Sequence, residues 1–245
     1  ERAVREGAVI LLLSDRYPER GLAAVPALLA TGAVHHHLVK AGLRCRANLI
    51  IETGSARDAH QMACLIGVGA TAVYPYLAYQ TLSALGKAGI VDGKQGNEPA
   101  ELGRSYRRGI KKGLLKIISK MGISTIASYR AAQLFEIVGL ADEVVALCFP
   151  GMVSRLQGAG FAELEAEARQ LAERAWSDFD DIEPGGRHKL MVGGEYHMYN
   201  PDVIASLQRA VRSGDEADYR VYADHVDGRP ASALRDLLLL RDDIA

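Results

Sequence analysis

Three consecutive histidines, His35-His36-His37, are the most conspicuous ligand-capable residues of the chain. Successive side chains on a helix point in different directions, so three in a row do not converge on one metal ion. His36 shares a helix face with Gly32 and Lys40 and has no acidic residue one turn on. The trio therefore reads as polar filler of an interfacial helix. His60, His188 and His197 have no tight ligand spacing, and Cys45, Cys64 and Cys148 form no Cys-x-x-Cys pair. No zinc or other metal site is expected. Neither Ser14 nor Cys64 has an identifiable His or Asp partner, so no nucleophile and no catalytic residue is assigned.

Two acidic motifs stand just after apolar runs, at Ser14-Asp15-Arg16 and Glu52-Thr53-Gly54. Loops after strand C-termini build the ligand sites of α/β folds. The two carboxylates either converge in a cleft or are salt-bridged to Arg16 and Arg57. A third candidate is the stretch Lys120-Met121-Gly122-Ile123-Ser124-Thr125, where a Lys and two hydroxyls could hold a small anion. The same residues also serve as plain strand and cap chemistry, with Ser128 capping a helix that starts at Tyr129. Gly67–Ala70 reads as a helix end. Gly158-Ala159-Gly160 precedes a helix and is either a phosphate-holding N-terminus or a joint between domains.

The elements that must position these residues follow from periodicity. Ala8–Leu13, Ala47–Glu52 and Ala70–Tyr74 are short apolar runs that read as buried strands. Helices follow each: from Pro26 to about Lys40, from a Ser55 cap to Ile66, and from Pro75 to about Leu85. Gly86–Pro99 reads as a surface loop, and Ala100–Met121 as a long helix whose basic cluster, Arg104–Lys120, fills its outer faces. Ile123–Ala127 is expected as a strand, Tyr129–Val138 as a helix and Val144–Phe149 as a last strand. A boundary is expected near Ser154–Gly160. Beyond it come helices over Ala162–Trp176, from Asn200-Pro201 to about Arg212, over Asp215–Val226 and over Ser232–Leu240, with a polar loop at Asp178–His188. The fold class is α/β. Parallel strands alternate with helices, as in part of a doubly wound or barrel-like domain, and an α-rich segment follows.

Composition narrows the function classes. The 245 residues are 49% hydrophobic and 24% charged, with a formal net charge of −1. This is the balance of a globular protein, without the basic excess of a duplex nucleic-acid binder. The apolar runs fall far short of the ~20 residues of a membrane span. Three scattered cysteines suit a reducing, cytoplasmic compartment. The chain opens on Glu1 and closes on Arg241–Ala245 without stop signals, so it reads as a piece of a longer polypeptide.

Several stretches resemble the large subunit of glutamate synthase. They include Leu12–Arg16, Pro26–Ala30, Gly32–Leu38 with its three histidines, Glu52-Thr53-Gly54 and Pro75–Ala78. The likeness continues in Lys112–Lys116, Ser119–Tyr129, Phe135-Glu136, Gly193–His197, Tyr199–Asp202 and Arg229-Pro230-Ala231. The bacterial NADPH-dependent type looks most similar. The resemblance implies an enzyme that makes two L-glutamates from L-glutamine and 2-oxoglutarate. Ammonia would be released in an amidotransferase domain, channelled, and used at FMN, with a 3Fe–4S cluster and an NADPH-oxidising small subunit supplying electrons. It assigns residues 1–155 to the C-terminal part of the central domain and 156–245 to a helical lead-in to the FMN barrel. The family's N-terminal Cys, clustered cysteines and FMN-contacting stretches have no counterpart in this sequence. The resemblance thus implies a catalytically silent wall of the ammonia path. No FMN, cluster or other cofactor is expected on this piece alone, and its cofactor-binding residues are unknown. The other reading from the residues is a stand-alone α/β module that binds a small anion at Lys120–Ser124.

Overall fold

A computed structural model describes residues 1–91, 98–177, 185–186 and 189–233. Contacts divide the chain into two units, 1–178 and 179–245. In the first, helix α1 (Arg2–Arg5) leads into a βα repeat. Its elements are β1 (Ile10–Ser14), α2 (Ala27–Lys40), β2 (Asn48–Glu52), α3 (Ala59–Gly67), β3 (Ala72–Tyr74) and α4 (Tyr76–Lys87). The three strands pair in parallel in the order β1-β2-β3, with Leu12 opposite Ile50 and Ile50 opposite Ala72. Strand side chains alternate between faces. Leu11, Leu13, Leu49, Ile51 and Val73 pack with Leu38 of α2 and Met62 and Leu65 of α3 in the main core. Ile10, Leu12 and Tyr74, on the alternate positions, remain exposed.

Helix α5 (Pro99–Lys120) packs on α3 and α4, and α6 (Ile126–Tyr129) follows it. A second parallel pair, β4 (Glu136–Leu140) and β5 (Val153–Ala159), is joined by α7 (Asp142–Cys148) and leads into α8 (Phe161–Ala175). Val144, Cys148 and Phe149 here share a core with Leu29 of α2 and Val68. The second unit holds α9 (Pro201–Ser213) and α10 (Glu216–Asp227). Asn200 caps α9 through bonds from the Asp202 and Val203 N–H groups, and Asp215 caps α10. Arg209 of α9 reaches Asp218 of α10 at 2.8 Å.

The α/β reading holds, and so do the first three strands and the helices at Ala27–Lys40, Pro99–Lys120, Phe161–Ala175, Pro201–Ser213 and Glu216–Asp227. Several local expectations are corrected. Ser55 does not cap α3. Asp58 does, in a capping box with Gln61 that offers the helix two reciprocal bonds. Ile123–Ala127 is not a strand, because Thr125 accepts the Ser128 N–H and starts the short helix α6. Ser128 is therefore inside a helix and is not its cap. Tyr129–Val138 is not a helix. Ala131 and Gln133 take left-handed φ values of 57° and 53°, and the chain then enters β4. Tyr129 is wholly buried and anchors this reversal by donating to the Ala63 carbonyl at 3.1 Å. Val144–Cys148 lie in a helix and Phe149 just past its end; Asp142 and Glu143 open its first turn, where carboxylates complement the helix dipole. A short apolar run alone does not separate a buried strand from a buried helix. Residues 154–159 belong to strand β5, and Gly160 is the N-cap of α8. The Ser232–Leu240 helix, and parts of the Gly86–Pro99 and Asp178–His188 loops, fall outside the described residues.

Two stability tests follow. Thr125→Ala should cost about 1 kcal/mol as a lost N-cap, whereas Ser128→Ala should cost less than half of that, read from chemical denaturation. Gly113 lies where α5 crosses α3, and a Cβ placed there would stand 2.4 Å from Ala59 Cβ. Gly113→Ala, normally a gain in a helix, should instead lower stability by about 1–2 kcal/mol.

Candidate functional site

The C-terminal ends of β1, β2 and β3 meet in one polar cluster. Parallel strands place these ends side by side, with Ser14 registered to Glu52 and Glu52 to Tyr74. The Ser14 hydroxyl donates to Glu52 Oε2 at 2.6 Å, and the Arg16 guanidinium donates to Glu52 Oε1 at 3.0 Å. Asp15 accepts the Thr53 hydroxyl at 2.5 Å and the Gly54 N–H at 2.9 Å. Tyr76, just beyond β3, donates to the Asp15 carbonyl at 3.3 Å, and its ring lies 5.5 Å from the Arg16 guanidinium carbon. Thr53 is fully buried and Glu52 nearly so, at 8% exposure.

The electrostatics follow from these bonds. The Ser14 hydrogen bond, then Arg16, hold the Glu52 carboxyl below its ordinary range against the opposing effect of burial. Glu52 in turn raises the Arg16 guanidinium above its usual value. Burial, then Asp15, push the Tyr76 phenol up to about 12, so it stays a neutral donor. Both carboxylates thus meet at the strand ends. Glu52 pairs with Arg16, whereas Asp15 is held by a hydroxyl and a backbone N–H. Arg57 pairs with neither: its N–H goes to Gln61 and its carbonyl accepts from Tyr106. The Ser14 hydroxyl spends its hydrogen bond on an ion-paired carboxylate, with no histidine in the cluster. The arrangement binds three strand ends together and lines a hollow of about 340 Å3 with Leu12, Val25 and Ala27. Arg44 and Tyr76 carry structural roles that the sequence reading missed. For Tyr76 the available signal was its place directly after the Pro75 strand stop.

The other candidates lie elsewhere. His35 is buried, and its Nδ1 accepts from Arg44 Nε at 2.9 Å while the same guanidinium donates to the Ala47 and Gly69 carbonyls. Burial, then Arg44, lower the His35 imidazole to about 4. His36 stands edge-on to His35 at 4.9 Å, and His37 faces Glu1 at 2.9 Å. The trio does not converge on one point: His35 and His36 touch edge to face, while His37 turns to Glu1. Lys120 ends α5, and Ser124 lies in an exposed turn that follows a helix, not a strand. The neighbouring Thr125 and Ser128 hydroxyls are 2.9 Å apart and engaged with each other. At the N-terminus of α8 the Gly160 N–H is taken by Glu163, which leaves a carboxylate where a phosphate would sit.

Among the described residues no three of His, Cys, Asp and Glu gather into a group able to hold a metal ion. Cys45 is exposed on the chain before β2, Cys64 is half-buried in α3 and Cys148 is buried in α7. These thiols do not fit an iron–sulfur cluster, which needs several thiolates at one point. No helix among the described residues is long and apolar enough to cross a membrane.

Comparison with known proteins adds a family. The model of the glutamate synthase central domain matches residues 1–141. The ferredoxin-dependent glutamate synthase of Spinacia oleracea is 41% identical over 261 residues, covering 100% of this chain. The NADPH glutamate synthase large chains of Azospirillum brasilense and Bacillus subtilis are 40% and 38% identical, covering 98% and 97% of it. The chain spans 16% of the length of each of these relatives. Relatives named for ferredoxin and for NADPH match over the same extent, so the likeness is to the large chain as such and does not separate the two types.

Proposed function

Because this chain belongs to the glutamate synthase central domain family, we propose that it is a structural α/β element of a glutamate synthase large chain. The whole enzyme would make L-glutamate from L-glutamine and 2-oxoglutarate, with FMN and an iron–sulfur cluster held by other domains. Residues 1–155 would complete the central domain and 156–245 would lead into the flavin barrel. The partners would be the amidotransferase and flavin domains of the same polypeptide, and a small NADPH-oxidising subunit. The piece would carry no catalytic or metal-ligating residue of its own. Three free thiols suit a reducing, cytoplasmic setting.

The observation that carries this reading is the strand-end cluster. Its two carboxylates, two hydroxyls and guanidinium are engaged with one another, which locks strands together and leaves no free base or nucleophile. A wall beside a channelled intermediate needs such closed, fixed packing to exclude water.

The test is Glu52→Gln in the complete large chain. Glutaminase activity and iminoglutarate reduction with added ammonia are expected to persist separately. Glutamate formed per glutamine hydrolysed should fall as ammonia leaks. Loss of both half-reactions in a normally folded variant would instead place Glu52 in catalysis. The 245-residue chain alone should purify colourless; a stoichiometric flavin on it would overturn the assignment of FMN to other domains.

A further inference from the structure

Charge is distributed very unevenly along this chain. Eight of its 29 Lys and Arg, and none of its 30 Asp and Glu, fall between residues 102 and 135. Seven of these cations lie on α5: Arg104, Arg107, Arg108, Lys111, Lys112, Lys116 and Lys120, and all seven are exposed. The opposite face of the helix carries Leu102 and Ile118, which are buried, and Ile110 and Leu114, which pack on the main core. Helix amphipathicity therefore fixes which side α5 turns outward. Arg104 pairs with Glu101 in the first turn. Lys111, Lys112, Lys116 and Lys120 form no ion pair with a described residue. In their midst Leu115 is 51% exposed. Lys111 and Lys112 stand one turn before it and Lys116 beside it, so an apolar centre is rimmed by cations.

We propose that the outward face of α5 is a docking surface for a separate, acidic protein, with Leu115 as its apolar anchor. Charge complementarity selects the partner's chemistry. A carboxylate-rich surface is steered to this face and held in register by it, while like-charged partners are excluded. The composition selects a separate and transient partner. An obligate, permanently buried interface is apolar at its centre and depleted of charge, because burying many unpaired ammonium groups carries a heavy desolvation cost, so this face suits a polar contact that can come apart. A nucleic acid is less well matched. Single strands need exposed aromatic platforms, and the aromatic ring of α5, Tyr106, is half-buried and edge-on to Tyr79 at 5.4 Å. Its hydroxyl is also committed to the Arg57 carbonyl at 2.8 Å.

The test uses the complete large chain and a fluorescein-labelled amphipathic peptide of glutamate and leucine, read by fluorescence anisotropy. Binding is expected at low salt, weakening steadily as ionic strength rises. K111E/K112E/K116E should weaken it by about tenfold or more, and L115S by about fivefold, with unchanged thermal unfolding. If the reversal variant loses its cooperative melt, K111A/K116A, which removes charge without adding repulsion, carries the comparison. The proposal is overturned if the peptide does not bind, or if the folded variants bind it as well as the parent does. Tighter binding of a single-stranded RNA oligonucleotide than of the peptide would also overturn it. So would protection of these lysines from acetylation in a complete large chain with no partner present, which would assign the face to internal packing.

Discussion

Gly32→Ala is expected to be the most damaging single-methyl change in this chain, lowering stability by about 3 kcal/mol or more. Alanine is ordinarily the better helix former by about 1 kcal/mol, so propensity alone gives the opposite sign. Gly32 lies inside α2 and is buried where that helix meets α7. A Cβ there would stand 2.2 Å from the Cys148 carbonyl oxygen and 2.9 Å from the Phe149 ring. A flexible side chain yields to such an overlap, but a backbone carbonyl at the end of α7 moves only with its helix. The consequence reaches the core that Leu29, Val144, Cys148 and Phe149 share. Chemical denaturation of the variant measures the effect. A midpoint at or above that of the parent chain would show that α2 and α7 do not approach this closely.

Acidification from pH 6.5 to 4 should remove about 3 kcal/mol of stability through His35 alone. The buried imidazole is lowered to about 4 by burial and by Arg44, and its Nδ1 must stay unprotonated to accept the Arg44 bond. The sign follows from proton uptake. Above pH 6.5 the ring is neutral in both states and makes no pH-dependent contribution. Between 6.5 and 4 the unfolded chain takes up a proton that the folded chain refuses, so stability falls. Below 4 the loss is complete. Glu52, whose carboxyl is held low by Ser14 and Arg16, also loses its contribution in acid. The comparison is therefore with His35→Asn, whose side-chain oxygen can accept from Arg44 without titrating. The difference in denaturation free energy between parent and variant should shrink or reverse across that window. A constant difference from pH 7 to 4 would remove His35 from the acid response.

Where periodicity spoke with one voice, the sequence was legible. Leu11 and Leu13, Leu49 and Ile51, and Val73 sit in strands bounded by turn residues, and Pro26 marks the start of the helix between the first two. Parallel pairing follows because each strand is joined to the next through a helix. Val144–Phe149 was illegible for the opposite reason. A short apolar run is buried equally well as a helix or a strand, and its Asp142-Glu143 opening decided the outcome. The Ile123–Val138 region failed because its conformation is imposed from a distance. Tyr129 is held by Ala63, and the left-handed Ala131 and Gln133 follow from that anchor and not from local propensity.

The candidate site divides in the same way. Ser14, Asp15, Glu52 and Thr53 were placed at strand ends by sequence alone, since a strand's C-terminus is marked by where its apolar run stops. Which carboxylate pairs with which group was settled only by the register of β1 on β2, which sets Ser14 opposite Glu52 and brings Arg16 within 3.0 Å of it. Arg44 shows the limit most plainly. A sequence reports that it is an arginine after a helix. Only the fold brings His35, Ala47 and Gly69 around its guanidinium, because hydrogen bonds between distant segments depend on chain geometry that no local pattern encodes. Local periodicity thus determined most of the elements, while tertiary packing decided the partners of the polar groups at the strand ends and around Arg44.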